Sequence, residues 1–147
     1  MAKKTIPFKS SLFSIVTDRP GDGGAKHGIV THIRKGFKWI EAKPFQEAFE
    51  IKDEAFARII GVSSRTLTRT KRTRAPLDPV ASDRLYRLAK VLKLAVTVFE
   101  DLQSAVRWIQ REQPGLAGKV PLQLLDTDPG TEEVEILLRQ LEYGVLP

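Results

Sequence analysis

The chain has 147 residues, 24 Lys and Arg against 18 Asp and Glu, a formal net charge of +6 and no Cys. With 41% hydrophobic and 29% charged residues it has the composition of one globular domain or two very small ones, not of a fibrous or disordered chain. The missing thiols exclude disulfide scaffolds, thiol catalysis and cysteine-ligated zinc or iron–sulfur centres.

Lys3, Lys4 and Lys9 interrupt the apolar residues of the first 14 positions, so no signal peptide is expected. No later run reaches membrane-spanning length, and the expected location is the cytoplasm. Charge is uneven: residues 1–75 hold 16 Lys and Arg against 7 acids, net +9, whereas residues 76–147 hold 8 against 11, net −3. That polarity points to two faces for two partners, the basic one suited to a polyanion.

In chain order, Asp18-Arg19-Pro20-Gly21-Asp22-Gly23-Gly24 stacks breakers without a periodic apolar face, so residues 1–24 are expected to form a flexible arm. Ile29, Val30 and Ile33 share a helical spacing over 27–35, with Gly36 as the stop. Pro44 suits a first helical turn, and Phe45 and Phe49 fall on one face of the helix it opens. Asp53 caps or opens a third helix to Ile60, and Ser63 caps a fourth from Ser64 to about Thr73. From Pro79, Leu85, Leu88, Ala89, Leu92, Ala95, Val96 and Phe99 keep a 3.6-residue stripe, widened by Val80 and Val91. A further helix over 101–110 turns Leu102, Ala105, Val106 and Ile109 inward, closed by Gln113-Pro114-Gly115 and Gly118. One turn at 121–125 precedes Asp128-Pro129-Gly130-Thr131, which introduces a helix over 132–143 with Val134, Leu137, Leu138 and Leu141 inward and Gly144 as the stop. No segment alternates with period two and no internal repeat occurs. The expected fold class is all-α: a helix-turn-helix half, residues 25–76, followed by a small helical half, residues 77–147.

The stretch from Ala57 to Leu67 answers each geometrical demand of a helix-turn-helix. Ala57 permits close crossing, Gly61 takes the left-handed turn, Val62 plugs the crossing, Ser63 caps the second helix and Leu67 pins it. An ordinary α-hairpin would look similar. The outward face of the second helix tilts the balance: Arg65, Arg69 and Arg72 recur at i, i+4, i+7, with Lys71 and Arg74 beside them and no acid from Arg65 to Arg74. Unneutralised cations so close repel one another unless an anion compensates them, and phosphates do so with counterion release. Ser64, Arg65, Thr66, Thr68, Arg69, Arg72 and Arg74 are therefore the candidate DNA-binding residues, with Thr70 as a further neutral hydrogen-bonding group. Arg65 and Arg69 are assigned to the groove and Arg72 and Arg74 to phosphate.

Enzyme chemistry finds no constellation, so no catalytic residue, metal site or cofactor is assigned. His27 and His32 are five apart, which suits solvated surface residues better than shared ligation. No Gly-rich phosphate loop or nucleophile elbow occurs, and Asp126 and Asp128 read as turn chemistry around Thr127. Glu132, Glu133 and Glu135 fall where a helix dipole favours acids. Trp39 and Trp108 are either partner anchors or, as is commoner, core residues.

Three blocks carry a resemblance over residues 28–147: Gly61-Val62-Ser63-Ser64-Arg65-Thr66-Leu67-Thr68-Arg69; the run from Leu77-Asp78-Pro79 through Ser82-Asp83-Arg84 to Ala89; and Ala105-Val106-Arg107-Trp108-Ile109 followed by Pro121-Leu122-Gln123-Leu124-Leu125-Asp126-Thr127, Gly130, Val134 and Gly144. In this order they resemble the Xre/MbcA/ParS-type antitoxins, which pair with RES-domain toxins in bacterial toxin–antitoxin operons. The sequence departs from that pattern at Ala81, where the family usually has Glu, and at Gln113-Pro114, where it has Pro-Asn. The resemblance implies a homodimeric antitoxin whose C-terminal half binds the toxin, an NAD-depleting relative of ADP-ribosyltransferases. It also implies that the segment Glu142, Tyr143, Gly144, Val145, Leu146 and Pro147 lies at the entrance of the toxin's active site as a steric block. Read from the residues alone, Val145-Leu146-Pro147 is either a docking peptide or a frayed end. Ser82-Asp83-Arg84 and Arg87 have a plainer account in solvation or an intrachain ion pair.

The expected function is thus an antitoxin that covers a RES toxin and, as a dimer, represses its own operon by binding operator DNA. Two alternatives stand beside it: a transcription regulator with no toxin partner, and an inhibitor whose helix-turn-helix only dimerises. The second would have to neutralise the Arg row at an interface.

Overall fold

Side-chain caps and Pro residues mark most of the helix starts. The computed structural model describes Leu12 and residues 23–144. Its helices are α1 (Gly23–Lys35), α2 (Trp39–Phe49), α3 (Asp53–Ile60), α4 (Ser64–Thr73), α5 (Pro79–Phe99), α6 (Leu102–Gln110), α7 (Pro121–Leu124) and α8 (Asp128–Glu142), with a 3-10 turn at Pro114–Leu116. Among the described residues there is no strand, only an isolated bridge between Gln113 and Lys119. The fold is all-α, as its periodicity requires.

Several boundaries differ from the expectation for identifiable reasons. α2 starts five residues before Pro44, because the Glu41 carboxylate accepts the Lys38 N–H at 2.8 Å and caps the helix there. Pro44 therefore lies inside α2, where its ring forfeits a bond to the Ile40 carbonyl; Ile40 itself is 76% exposed. α8 starts at Asp128, because the Thr127 hydroxyl accepts the Gly130 N–H at 3.1 Å and Pro129 occupies a first-turn position that needs no donor. Glu132, Glu133 and Glu135 consequently lie beyond its first turn. Gly23 and Gly24, expected in the arm, open α1; of the rest of the arm only Leu12 is described, and it is fully buried. Val80 does not widen the stripe of α5 but is exposed, since five residues before Leu85 it is rotated about 140° off that seam.

α5 is the spine. Asp78 accepts the Ala81 N–H at 2.8 Å, Pro79 opens the helix, and 21 residues give a rod about 30 Å long. α1, α3, α6 and α8 all pack on it. Leu85, Leu88 and Leu92 are fully buried with Phe37, Phe45, Phe56, Ile109 and Leu138. Each such side chain contributes roughly 1.5–3 kcal/mol relative to exposure. Polar bonds fix the register of the connections: Leu77 N–H donates to Phe37 O at 2.8 Å, and Phe37 N–H donates to the buried Ser82 hydroxyl at 2.9 Å. Gln110 Nε2 donates to Phe49 O at 2.9 Å, joining α6 to the end of α2. Lys90 pairs with Glu135 at 2.9 Å, joining α5 to α8.

The departures from the family pattern fit this frame. Ala81 is buried in the first turn of α5, where a small side chain fills the space. Gln113 donates to Trp108 O at 2.9 Å and brackets the 3-10 turn through Lys119. Gly130 is where α8 meets α7: a Cβ there would strike the Leu124 carbonyl, so a residue without one is required.

A candidate nucleic-acid interface and a candidate docking strip

The turn between α3 and α4 adopts the helix-turn-helix geometry from the residues singled out for it. Gly61 takes φ +75, and the N–H groups of Gly61 and Val62 close α3 on the carbonyls of Arg58 and Ala57. Ala57 is buried at the crossing and Val62 is half-buried. Ser63 Oγ accepts the Thr66 N–H at 3.0 Å and donates to the Thr66 hydroxyl at 2.9 Å. Leu67 and Thr70 turn into the core, which rotates Arg65, Arg69 and Arg72 to the outside.

These three arginines line one hollow of about 510 Å³ with Thr66 and Thr68. All three are exposed, and no acid among the described residues pairs with them. Ser64 is exposed at the first position of α4, and its carbonyl accepts the Thr68 hydroxyl at 2.9 Å, leaving Thr68 an acceptor to offer. Thr70, by contrast, is 4% exposed and is not on this face. Arg74 caps α4 in the left-handed region at φ 59 and lines a different hollow, with Lys38, Trp39, Ile40 and Lys71.

Lys71 is not an unneutralised member of the row. Its Nζ is 2.6 Å from Asp53 Oδ1 and 4.4 Å from the centroid of the Trp39 ring. Asp53 also accepts Gln46 Nε2 at 2.7 Å. The Gln46 hydrogen bond, then that of Lys71 and its charge, hold the Asp53 carboxyl below the usual carboxylate value. Eighteen residues separate the partners of this pair, so helical spacing does not reveal it.

At the far end, Ile136 on α8 is 50% exposed and the C-cap residue Tyr143 is 74% exposed, with the polar Arg139 and Gln140 between them. Glu142, Tyr143 and Gly144 are exposed; Val145, Leu146 and Pro147 lie outside the described residues. Ile136 was missed, although it is apolar and off the inward stripe of Val134, Leu137, Leu138 and Leu141. Glu135 is half-buried against Lys90 and is no helix cap.

The remaining singled-out residues are structural. His32 is half-buried, with Nε2 3.1 Å from Glu41 and its ring 4.7 Å from that of Phe37. The side chain of His27 lies outside the described ones. Trp39 and Trp108 pack against Phe56 and Phe99, at 6.0 and 5.8 Å between ring centroids. Arg87 pairs with Asp83 one turn away at 2.8 Å. Among the described residues no three His, Asp or Glu side chains form a metal-holding group, and no helix is long and apolar enough to cross a membrane.

Residues 28–90 match the antitoxin Xre-like helix-turn-helix domain, and residues 94–144 match the antitoxin Xre/MbcA/ParS C-terminal toxin-binding domain. The chain is similar to Antitoxin Xre of Yersinia enterocolitica, 31% identical over 118 residues covering 80% of each chain. It is also similar to Antitoxin Xre of Pseudomonas putida, 36% identical over 54% of this chain and 50% of that one. A third relative, Antitoxin Xre of Photorhabdus laumondii, is 30% identical over 60% of this chain and 61% of its own. A helix-turn-helix with an exposed Arg row, joined through one spine to a second helical half, is thus accounted for by descent: the chain belongs to the Xre antitoxin family, whose members are antitoxins of toxin–antitoxin systems and not enzymes.

Proposed function

We propose that this antitoxin neutralises a RES-domain toxin that degrades NAD, and that as a homodimer in the cytoplasm it binds the promoter of its own operon and represses it. The observation that carries the DNA-binding arm is the row Arg65, Arg69 and Arg72, exposed without an acidic partner among the described residues. Such a row is stabilised by phosphates, and the neighbouring Ser64, Thr66 and Thr68 add neutral hydrogen bonds. Arg65 and Arg69 serve the groove, and Arg72 and Arg74 serve phosphate.

The toxin-binding arm rests on the two exposed apolar side chains Ile136 and Tyr143, within the residues matched to a toxin-binding domain. Exposed apolar side chains ahead of the apolar run Val145-Leu146-Pro147 suit a partner better than water. In this reading Glu142, Tyr143, Gly144, Val145, Leu146 and Pro147 cover the entrance of the toxin's active site.

Co-expression with the adjacent open reading frame tests both arms, with host growth and cellular NAD as readouts. The neighbour alone is expected to arrest growth and drain NAD, the full chain to restore both, and a chain ending at Gly144 to restore them incompletely. A harmless neighbour would leave a regulator without a toxin.

A further inference from the structure

Beside the Arg row lies a second hollow of about 450 Å³, between the start of α2 and the end of α4, lined by Lys38, Trp39, Ile40, Lys71 and Arg74. Three of its five residues are cations and none is an acid. Lys38 and Arg74 are exposed and have no ion pair among the described residues. Lys71 is already fixed by Asp53 and by the Trp39 ring, so its charge is held in place. Ile40 is the most exposed large apolar side chain described, at 76%, and it stands at this cationic rim.

An apolar side chain among cations matches a ligand that alternates charge with carbon. The sugar–phosphate backbone of a nucleic acid does so, with a deoxyribose face between successive phosphates. The hollow shares no lining residue with that of the Arg row, but the two are joined through one helix: Lys71 belongs to α4 and Arg74 caps it. We propose that it seats the backbone of the duplex flanking the stretch met by the Arg row: Lys38 and Arg74 take phosphate, and Ile40 packs on the adjoining deoxyribose. This rests on the DNA reading above and extends the footprint from one helix to two.

The test uses the full chain and a duplex from upstream of its own gene. Binding is measured against salt, with hydroxyl-radical footprinting, for the wild type, Lys38→Ala, Ile40→Glu and Arg69→Ala. Lys38→Ala should make the log–log salt dependence shallower by about 0.9. Ile40→Glu should weaken binding about tenfold at low salt, because it sets a carboxylate against the backbone, while its thermal melting stays unchanged. Both should lose protection of sugars at the flank and keep it at the centre. If both variants keep the wild-type slope and footprint while Arg69→Ala loses affinity, the hollow is not a DNA site and the Arg row alone is. Unchanged DNA binding with weakened toxin neutralisation would assign the hollow to a protein partner and overturn the proposal. A wild-type chain that protects no duplex overturns this proposal and the DNA reading together.

Discussion

The guanidinium of Arg84, on α5, lies against the α-carbon of Gly61 and fills the space a β-carbon at 61 would need. The helix-turn-helix turn is thereby sealed from behind by the spine of the molecule. Gly61→Ala should lose stability twice over: about 1–2 kcal/mol for the left-handed backbone, and a smaller amount for moving the flexible end of Arg84 aside. Arg84→Ala in the same chain should recover the second loss and leave the first. Thermal or urea unfolding of the four chains of this cycle measures the coupling, and strict additivity would show that the two residues act independently.

Asp53, at the start of α3, ties α4 to α2 through Lys71 and Gln46. Its carboxyl is held below the ordinary carboxylate value, so it contributes stability that is present above that value and is lost as pH falls through the lowered one. Because the carboxylate is 47% exposed, solvent screening keeps the contribution small, within about 1 kcal/mol. Asp53→Asn should melt slightly earlier than the wild type at neutral pH and indistinguishably from it in strong acid. A gap that persisted in acid would place the effect in packing and not in charge.

Arg72→Ala removes a cation assigned to phosphate and no core contact. Its affinity should fall by a similar factor on specific and unrelated duplexes, and its salt slope should become shallower by about one unit. Loss confined to one sequence would instead make Arg72 a reader of bases.

Ile136→Asp, on α8, and Tyr143→Ala, at its C-cap, alter exposed residues and should leave melting within about 0.5 kcal/mol of the wild type. Both are expected to weaken rescue in the growth assay. Full rescue by the pair together would move the docking surface elsewhere.

Ser82→Ala deletes the acceptor of the Phe37 N–H inside the core. An unsatisfied buried donor should cost about 1–3 kcal/mol, seen as a lower denaturation midpoint at unchanged m-value.

Much of this fold is legible from periodicity, and Asp53, the cap Ser63 and Pro79 place three of the helix starts correctly, those of α3, α4 and α5. Two misplaced starts trace to caps: Glu41 opens α2 five residues ahead of Pro44, and Thr127 opens α8 ahead of the start expected at 132, with Pro129 in its first turn; α1 begins at Gly23, among residues that read as breakers. The Arg row is legible because Leu67 mirrors it on the same helix. Its boundary is not, since what removes Lys71 is Asp53, far away in sequence, and what removes Thr70 is its burial. Ile136 is visible only once the inward face of α8 is known.

The two family matches meet inside α5, a helix without a break, so the protein has a shared axle where a linker would ordinarily be. Severing the chain between Leu85 and Leu92 would split the seam formed by Leu85, Leu88 and Leu92 between the two portions, and neither fragment should keep its shape. A macromolecule held at α8 is accordingly carried at a set bearing and distance from whatever lies against α4, like cargo on a fixed boom.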